Sequence, residues 1–175
     1  RWVRDHSHDQ ECCVIPYFAG NAAQPGWEAL CRYFLRELKR RLSLDYPLPE
    51  DREGLRRSMF ILPRMAAKKS RVVLVIDEIE ALFSQQIPEL SWLPAELPEG
   101  VSIVVTAGAG QLVDLLRKRP HREISLKALT PGEIGHISQT YLAAHAKTLG
   151  SHHSEMVCTS PQAVNPLFLI TLLSE

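Results

Sequence analysis

The chain has 175 residues, of which 45% are hydrophobic and 23% are charged, the balance of a globular protein that can bury an apolar core. Its 20 basic and 20 acidic residues give zero formal net charge, which argues against a broad electrostatic surface for nucleic acid or membrane. We see no apolar run of membrane-spanning length, no signal peptide and no metal-ligand spacing among the four cysteines. We therefore expect a reduced, cytoplasmic protein with free, buried thiols.

Four short segments have the composition of β-strands. Residues 12–19 form the first, and Pro16 favours an edge position because proline donates no hydrogen bond to a neighbouring strand. Residues 72–76 are five apolar residues in succession, which predicts a central parallel strand buried on both faces. Residues 101–106 and 122–127 predict two further parallel strands, with the 72–76 strand between the first and third.

Helical patterns separate these strands. Apolar spacing predicts helices over residues 27–42 and 51–69. Capping residues predict a helix over 130–149 with Gly150 as its C-terminal cap, and a last helix that begins after Asn165. Strands that alternate with helices indicate an α/β fold, a mostly parallel sheet flanked by helices.

Three acids directly follow the predicted central strand: Asp77, Glu78 and Glu80. In open parallel sheets, ligands bind beyond the carboxyl ends of the strands. An aspartate there is suited to a hydrated Mg²⁺, and the next acid to orienting or deprotonating a water that attacks a γ-phosphate. The pattern predicts a Walker B element. The alternative is a strand-to-helix turn whose acids cap the following helix.

Thr106 ends the neighbouring predicted strand. A hydroxyl at that position is suited to sensing the γ-phosphate or the attacking water. The alternative is a β-branched strand residue that leads into the glycine turn at residues 108–110. That turn by itself does not make a phosphate-binding loop.

The sequence contains no phosphate-binding loop of the form GxxxxGK[ST]. Either the chain is not a P-loop protein or it begins after that motif. Residues 1–6 are typical of the end of an interrupted helix, and a P-loop is followed by such a helix. We therefore expect a chain truncated before the P-loop helix ends.

Five segments in this order resemble the NACHT-like P-loop ATPases, which belong to the signal-transduction NTPases with numerous domains (STAND). The matching segments are residues 15–20, 72–82, 90–98, 101–106 and 165–169. The resemblance covers nearly the whole chain, and its specificity lies in the ordered set, since no single segment is diagnostic.

The resemblance implies an architecture. Residues 1–129 are expected to be the P-loop NTPase core without its first strand and Walker A motif, and residues 130–175 the start of a helical lid region. The family's P-loop strand lies between the strand that ends at Thr106 and the one that ends near Leu126. We therefore expect a gap one strand wide there, or a sheet that has closed over it.

The resemblance also implies site residues. Asp77 corresponds to the Mg²⁺-binding acid. Glu78 fits the general ATPase pattern for the water-orienting acid, and Glu80 fits the closer relatives. We keep both acids as candidates, with a preference for Glu78 because it directly follows Asp77. Pro166 corresponds to a proline that packs near the adenine, although Asn165 and Pro166 also fit an ordinary helix start.

Two functions remain open at this point. The resemblance implies ATP and Mg²⁺ as cofactors and a nucleotide-driven switch in a larger signalling protein, with other domains or subunits as partners. The alternative is a non-catalytic interaction module with a degenerate NTPase fold. No membrane or nucleic-acid partner is indicated. The 175 residues alone are expected to bind ATP poorly, because the centre of the sheet is missing.

Overall fold

A computed structural model describes residues 12–22, 26–83 and 90–175. The chain forms two compact units, Arg1–Arg122 and Glu123–Glu175. The expected helix tail at residues 1–6 lies outside the described residues. Across the ranges that are described, no helix has the length and apolar character needed to cross a membrane.

The first unit contains a parallel sheet of three strands. These are β1 (Cys12–Phe18), β2 (Arg71–Asp77) and β3 (Val101–Val105), in the order β1-β2-β3. Phe18 lies opposite Asp77, and Ile76 lies opposite Val105. The parallel pairing, the central place of β2 and the outer place of the proline-containing strand confirm three sequence predictions.

Helices α1 (Trp27–Arg41) and α2 (Arg52–Ala67) pack against one face of this sheet. Both are amphipathic, and their apolar faces share one core with the inward-facing side chains of β2. On the other face, Val73 and Val75 are only half-buried. The predicted burial of β2 is therefore confirmed for one face only. A short helix, α3 (Gln111–Arg117), follows β3.

Trp92 anchors the segment that leads into β3. Its side chain is fully buried in the core of the first unit. Arg119 also contacts this segment. Its guanidinium donates hydrogen bonds to the carbonyl oxygens of Leu90, Leu93 and Pro94 at 2.7–3.0 Å. Arg119, just after α3, thus has a structural role in the first unit.

Replacing Trp92 with alanine should lower the free energy of unfolding by about 3–5 kcal/mol, because it leaves a large cavity in a packed core. Trp92→Phe should cost less, since most of the ring volume remains and the lost Nε1–H has no hydrogen-bond partner in the described structure. Chemical denaturation of both variants measures the difference. Equal losses for the two variants would show that cavity volume does not determine the effect.

The second unit consists of α4 (Pro131–Ala144), α5 (Ser151–Thr159) and α6 (Pro166–Ser174). A capping box between Thr130 and Glu133 starts α4, as the sequence predicted. The predicted end at residue 149 was wrong, since α4 ends at Ala144. Gly150 is the N-cap of α5, a helix that the sequence analysis did not separate from α4.

The predicted strand over residues 122–127 was also wrong, because residues 121–130 form neither strand nor helix. The side chains of Ile124 and Leu126 are 80% and 92% exposed. An alternating apolar segment becomes a strand only when a neighbour pairs with its backbone. No sheet in the described structure includes this segment, so the expected one-strand gap does not arise there.

Candidate functional site at the carboxyl edge of the sheet

The carboxyl ends of the three strands bring the predicted chemical groups together. Asp77 is the last residue of β2, and Thr106 directly follows β3. Gly20 lies just past β1, in a short 3₁₀ turn. Because the strands are parallel, all three positions lie at one edge of the sheet.

Thr106 makes four hydrogen bonds to the residues around Asp77. Its hydroxyl donates to Asp77 Oδ1 at 2.6 Å and accepts from the Glu78 amide at 2.9 Å. Its own amide donates to the Ile76 carbonyl at 2.9 Å, and its carbonyl accepts from the Ile79 amide at 3.1 Å. One residue therefore extends the β2–β3 pairing beyond the strands and holds the acidic turn in place.

Glu78 has an unusual backbone conformation. Its φ is +56°, in the left-handed region that residues other than glycine rarely adopt. Its carboxylate lies against Gly20, where an added Cβ would come within 1.9 Å of Oε2. The absence of a side chain at Gly20 therefore makes room for the Glu78 carboxylate beside the end of β1.

The free energy of unfolding of Glu78→Gly should be about 1 kcal/mol larger than that of Glu78→Ala, because only glycine adopts a positive φ without steric cost. Thermal or urea denaturation of the two variants checks this. The same pair of substitutions at Glu53, an exposed position in α2, is the control, and there alanine should be the more stable. Alanine being favoured at both positions would contradict a left-handed Glu78.

Glu80 extends in a different direction from Glu78. Its Oε1 accepts a hydrogen bond from the Gly108 amide at 2.8 Å, in the loop between β3 and α3. Glu80 therefore lies beside the end of β3, whereas Glu78 lies beside the end of β1. The two candidate acids are only two residues apart in sequence, yet one lies toward β1 and the other toward β3.

A Mg²⁺ at Asp77 would have to keep several waters, because Asp77 by itself does not form a complete metal site. In the described ranges no group of three His, Cys, Asp or Glu side chains forms a metal-binding cluster. Mg²⁺ commonly takes one or two carboxylates, several waters and substrate phosphates. Asp77 is partly exposed, and the Thr106 hydroxyl occupies one of the roughly four lone-pair sites of its carboxylate.

Pro166 belongs to the second unit and occupies the first turn of α6, where it is exposed. The Asn165 side chain accepts hydrogen bonds from the Leu167 and Phe168 amides, at 2.9 and 3.4 Å. The sequence feature thus forms a capped helix start. The adenine contact of Pro166 stays a prediction.

The cysteines are free, as expected, but only Cys13 and Cys31 are buried, and Cys12 and Cys158 are half-buried. Cys12, Cys13, Cys31 and Cys158 are all unpaired in the structure. Burial raises the pKa of the Cys31 thiol, which keeps this side chain protonated and unreactive.

Sequence reasoning missed two contributors to this edge, Gly20 and Gly108. One contributes through its missing side chain and the other through its backbone amide, and neither role follows from residue type. The position of both glycines just past a strand was the available signal.

No family model matches the chain, and no curated protein is significantly similar to it.

Proposed function

We propose that this chain supplies the Mg²⁺-binding and water-orienting part of an ATP site in a NACHT-like P-loop ATPase. The observation that carries the proposal is the direct hydrogen bond between Asp77 and Thr106 at the ends of adjacent parallel strands. Two further carboxylates lie on either side of this pair. Such an edge is where open α/β sheets bind their ligands.

Asp77 is the residue that would hold the metal. Mg²⁺ supplies neutralisation of the charge on the β- and γ-phosphates when it is bound. Asp77, on the last residue of β2, would hold the ion through a carboxylate oxygen. The sequence lacks the lysine and hydroxyl of a GxxxxGK[ST] loop, so those groups would come from elsewhere in a longer protein.

The contacts favour Glu80 over Glu78 as the water-orienting acid. In the described sheet, β3 pairs with β2 and has no strand on its other side. The resemblance assigns the P-loop strand to that side, so the phosphates would lie over the end of β3. The Glu80 carboxylate already contacts the loop after β3, whereas Glu78 lies beside β1.

Hydrolysis at such a site would act as a switch. Contacts to the γ-phosphate differ between ATP and ADP, and this difference can shift an equilibrium between two arrangements of neighbouring domains. The helices of residues 130–175 are the proposed start of the lid that responds to the nucleotide. Other domains or subunits of a cytoplasmic signalling protein are the proposed partners.

The test uses a longer protein that contains these residues and an upstream GxxxxGK[ST] loop. ATP binding and phosphate release are measured with Mg²⁺ and again with excess EDTA. We expect both activities with Mg²⁺ and a large loss of turnover with EDTA. Absence of nucleotide binding under all conditions would contradict the proposal and favour the non-catalytic interaction module.

A further inference from the structure

We propose that Thr106 acts on the Asp77 carboxylate and not on the nucleotide phosphate. It is a positioning residue that orients the metal-binding acid. The inference rests on the proposed function, in which Asp77 holds Mg²⁺. It assigns to Thr106 a role different from the phosphate sensor that the sequence pattern suggested.

The argument begins with the hydroxyl proton. A threonine hydroxyl has one hydrogen to donate, and that of Thr106 goes to Asp77 Oδ1 at 2.6 Å. Hydrogen bonds to an ionised acceptor are short and among the stronger ones in proteins. A phosphate oxygen only accepts hydrogen bonds, so Thr106 would have to release Asp77 before it could contact the phosphate.

The hydroxyl oxygen is also engaged. It accepts the Glu78 amide at 2.9 Å, which satisfies a backbone donor in the left-handed turn. The backbone of Thr106 bonds to Ile76 and Ile79 on either side of Asp77 and Glu78. Rotating the side chain toward a phosphate would therefore break two hydrogen bonds at once, while the backbone of Thr106 stays tied to the acidic turn.

The consequence is a carboxylate with a defined orientation. Groups that hydrogen-bond to a metal ligand set its direction, and their removal typically weakens metal affinity by about 10–100-fold. We therefore expect Thr106 to affect the Mg²⁺ concentration that the site requires. A phosphate sensor would instead affect the rate of turnover when Mg²⁺ is saturating.

Three variants separate the two roles in the longer protein: Thr106→Val, Thr106→Ser and Thr148→Val. Valine keeps the shape of threonine and removes the hydroxyl, whereas serine keeps the hydroxyl. Thr148 is an exposed threonine in the second unit and serves as the control. ATP binding is titrated with Mg²⁺ at fixed nucleotide, and turnover is measured at saturating Mg²⁺.

We expect Thr106→Val to raise the Mg²⁺ concentration at half-maximal binding by about tenfold or more. Thr106→Ser should restore most of the affinity, and Thr148→Val should match the wild type. Reduced turnover at saturating Mg²⁺ with an unchanged half-maximal Mg²⁺ concentration would overturn the inference in favour of a phosphate sensor. Thr106→Ala replaces the valine variant if that variant does not fold.

A second measurement needs no nucleotide. Hydrogen exchange of the Glu78 amide should become faster in Thr106→Val and stay slow in Thr106→Ser, because only serine provides an oxygen acceptor. An unchanged Glu78 amide in the valine variant would overturn the inference. This result is independent of ATP binding, so it distinguishes failure of the Thr106 role from failure of the proposed function.

Discussion

Asp77→Ala is expected to abolish Mg²⁺-dependent nucleotide binding and turnover in the longer protein. Alanine removes the candidate metal ligand on the last residue of β2, the middle strand of the described sheet. Metal ions contribute several kcal/mol of charge stabilisation in phosphoryl transfer, so we expect a loss of roughly 100-fold or more in turnover. Nucleotide titration with and without Mg²⁺, together with a phosphate-release assay, measures both effects.

Asp45→Ala is the matched control for this substitution. Asp45 is exposed in the loop between α1 and α2, far along the chain from the carboxyl edge, and its loss should leave both activities intact. Asp77→Asn adds a second comparison, since it keeps the hydrogen-bond acceptor for Thr106 but removes the charge. Wild-type turnover in Asp77→Ala, with a protein that remains folded, would mean that the metal binds elsewhere.

Glu80→Gln is expected to allow nucleotide binding while lowering turnover by roughly 100-fold or more, the usual contribution of a positioned acid or base. Glutamine keeps the acceptor for the Gly108 amide but loses the negative charge that orients or deprotonates water. Glu78→Gln should change turnover much less, because the Glu78 carboxylate lies beside β1. Binding and single-turnover hydrolysis of both variants give the comparison.

If Glu78→Gln lowered turnover more than Glu80→Gln, the result would support Glu78, the acid that the sequence analysis preferred because it directly follows Asp77. A loss confined to Glu78→Gln would identify Glu78 as the water-orienting acid and place the attacking water toward β1. Unchanged turnover in both variants would exclude the two acids together. Glu99→Gln is the control, since Glu99 is an exposed acid in the turn before β3.

The carboxyl edge shows how residues that are equivalent in sequence become different in space. Asp77, Glu78 and Glu80 lie within a stretch of four residues, yet the Glu78 carboxylate lies against Gly20 after β1, whereas the carboxylates of Asp77 and Glu80 accept hydrogen bonds from residues after β3. Spacing alone predicted that the acids lie at the end of β2, and it left open which of them faces a nucleotide.

Local patterns were sufficient to predict much of the fold. The apolar run of β2 predicted a central parallel strand, because strands inside parallel sheets are typically covered on both faces, and the structure confirms the central position. Thr130 and Asn165 predicted helix starts, since capping depends on atoms within three residues. These features follow from the sequence because their causes are short-range.

Long-range contacts decided the rest. Residues 122–127 have a strand-like pattern, but backbone pairing requires a partner that the segment itself does not contain, and here it is an exposed loop. The Thr106 hydroxyl was one candidate for a γ-phosphate sensor by its position at the end of a strand, and the fold brings it to an acid 29 residues earlier in the chain. The sequence thus determined which chemical groups reach the carboxyl edge, and only the tertiary structure decided which of them contact each other, because hydrogen-bond geometry depends on strand register and backbone conformation.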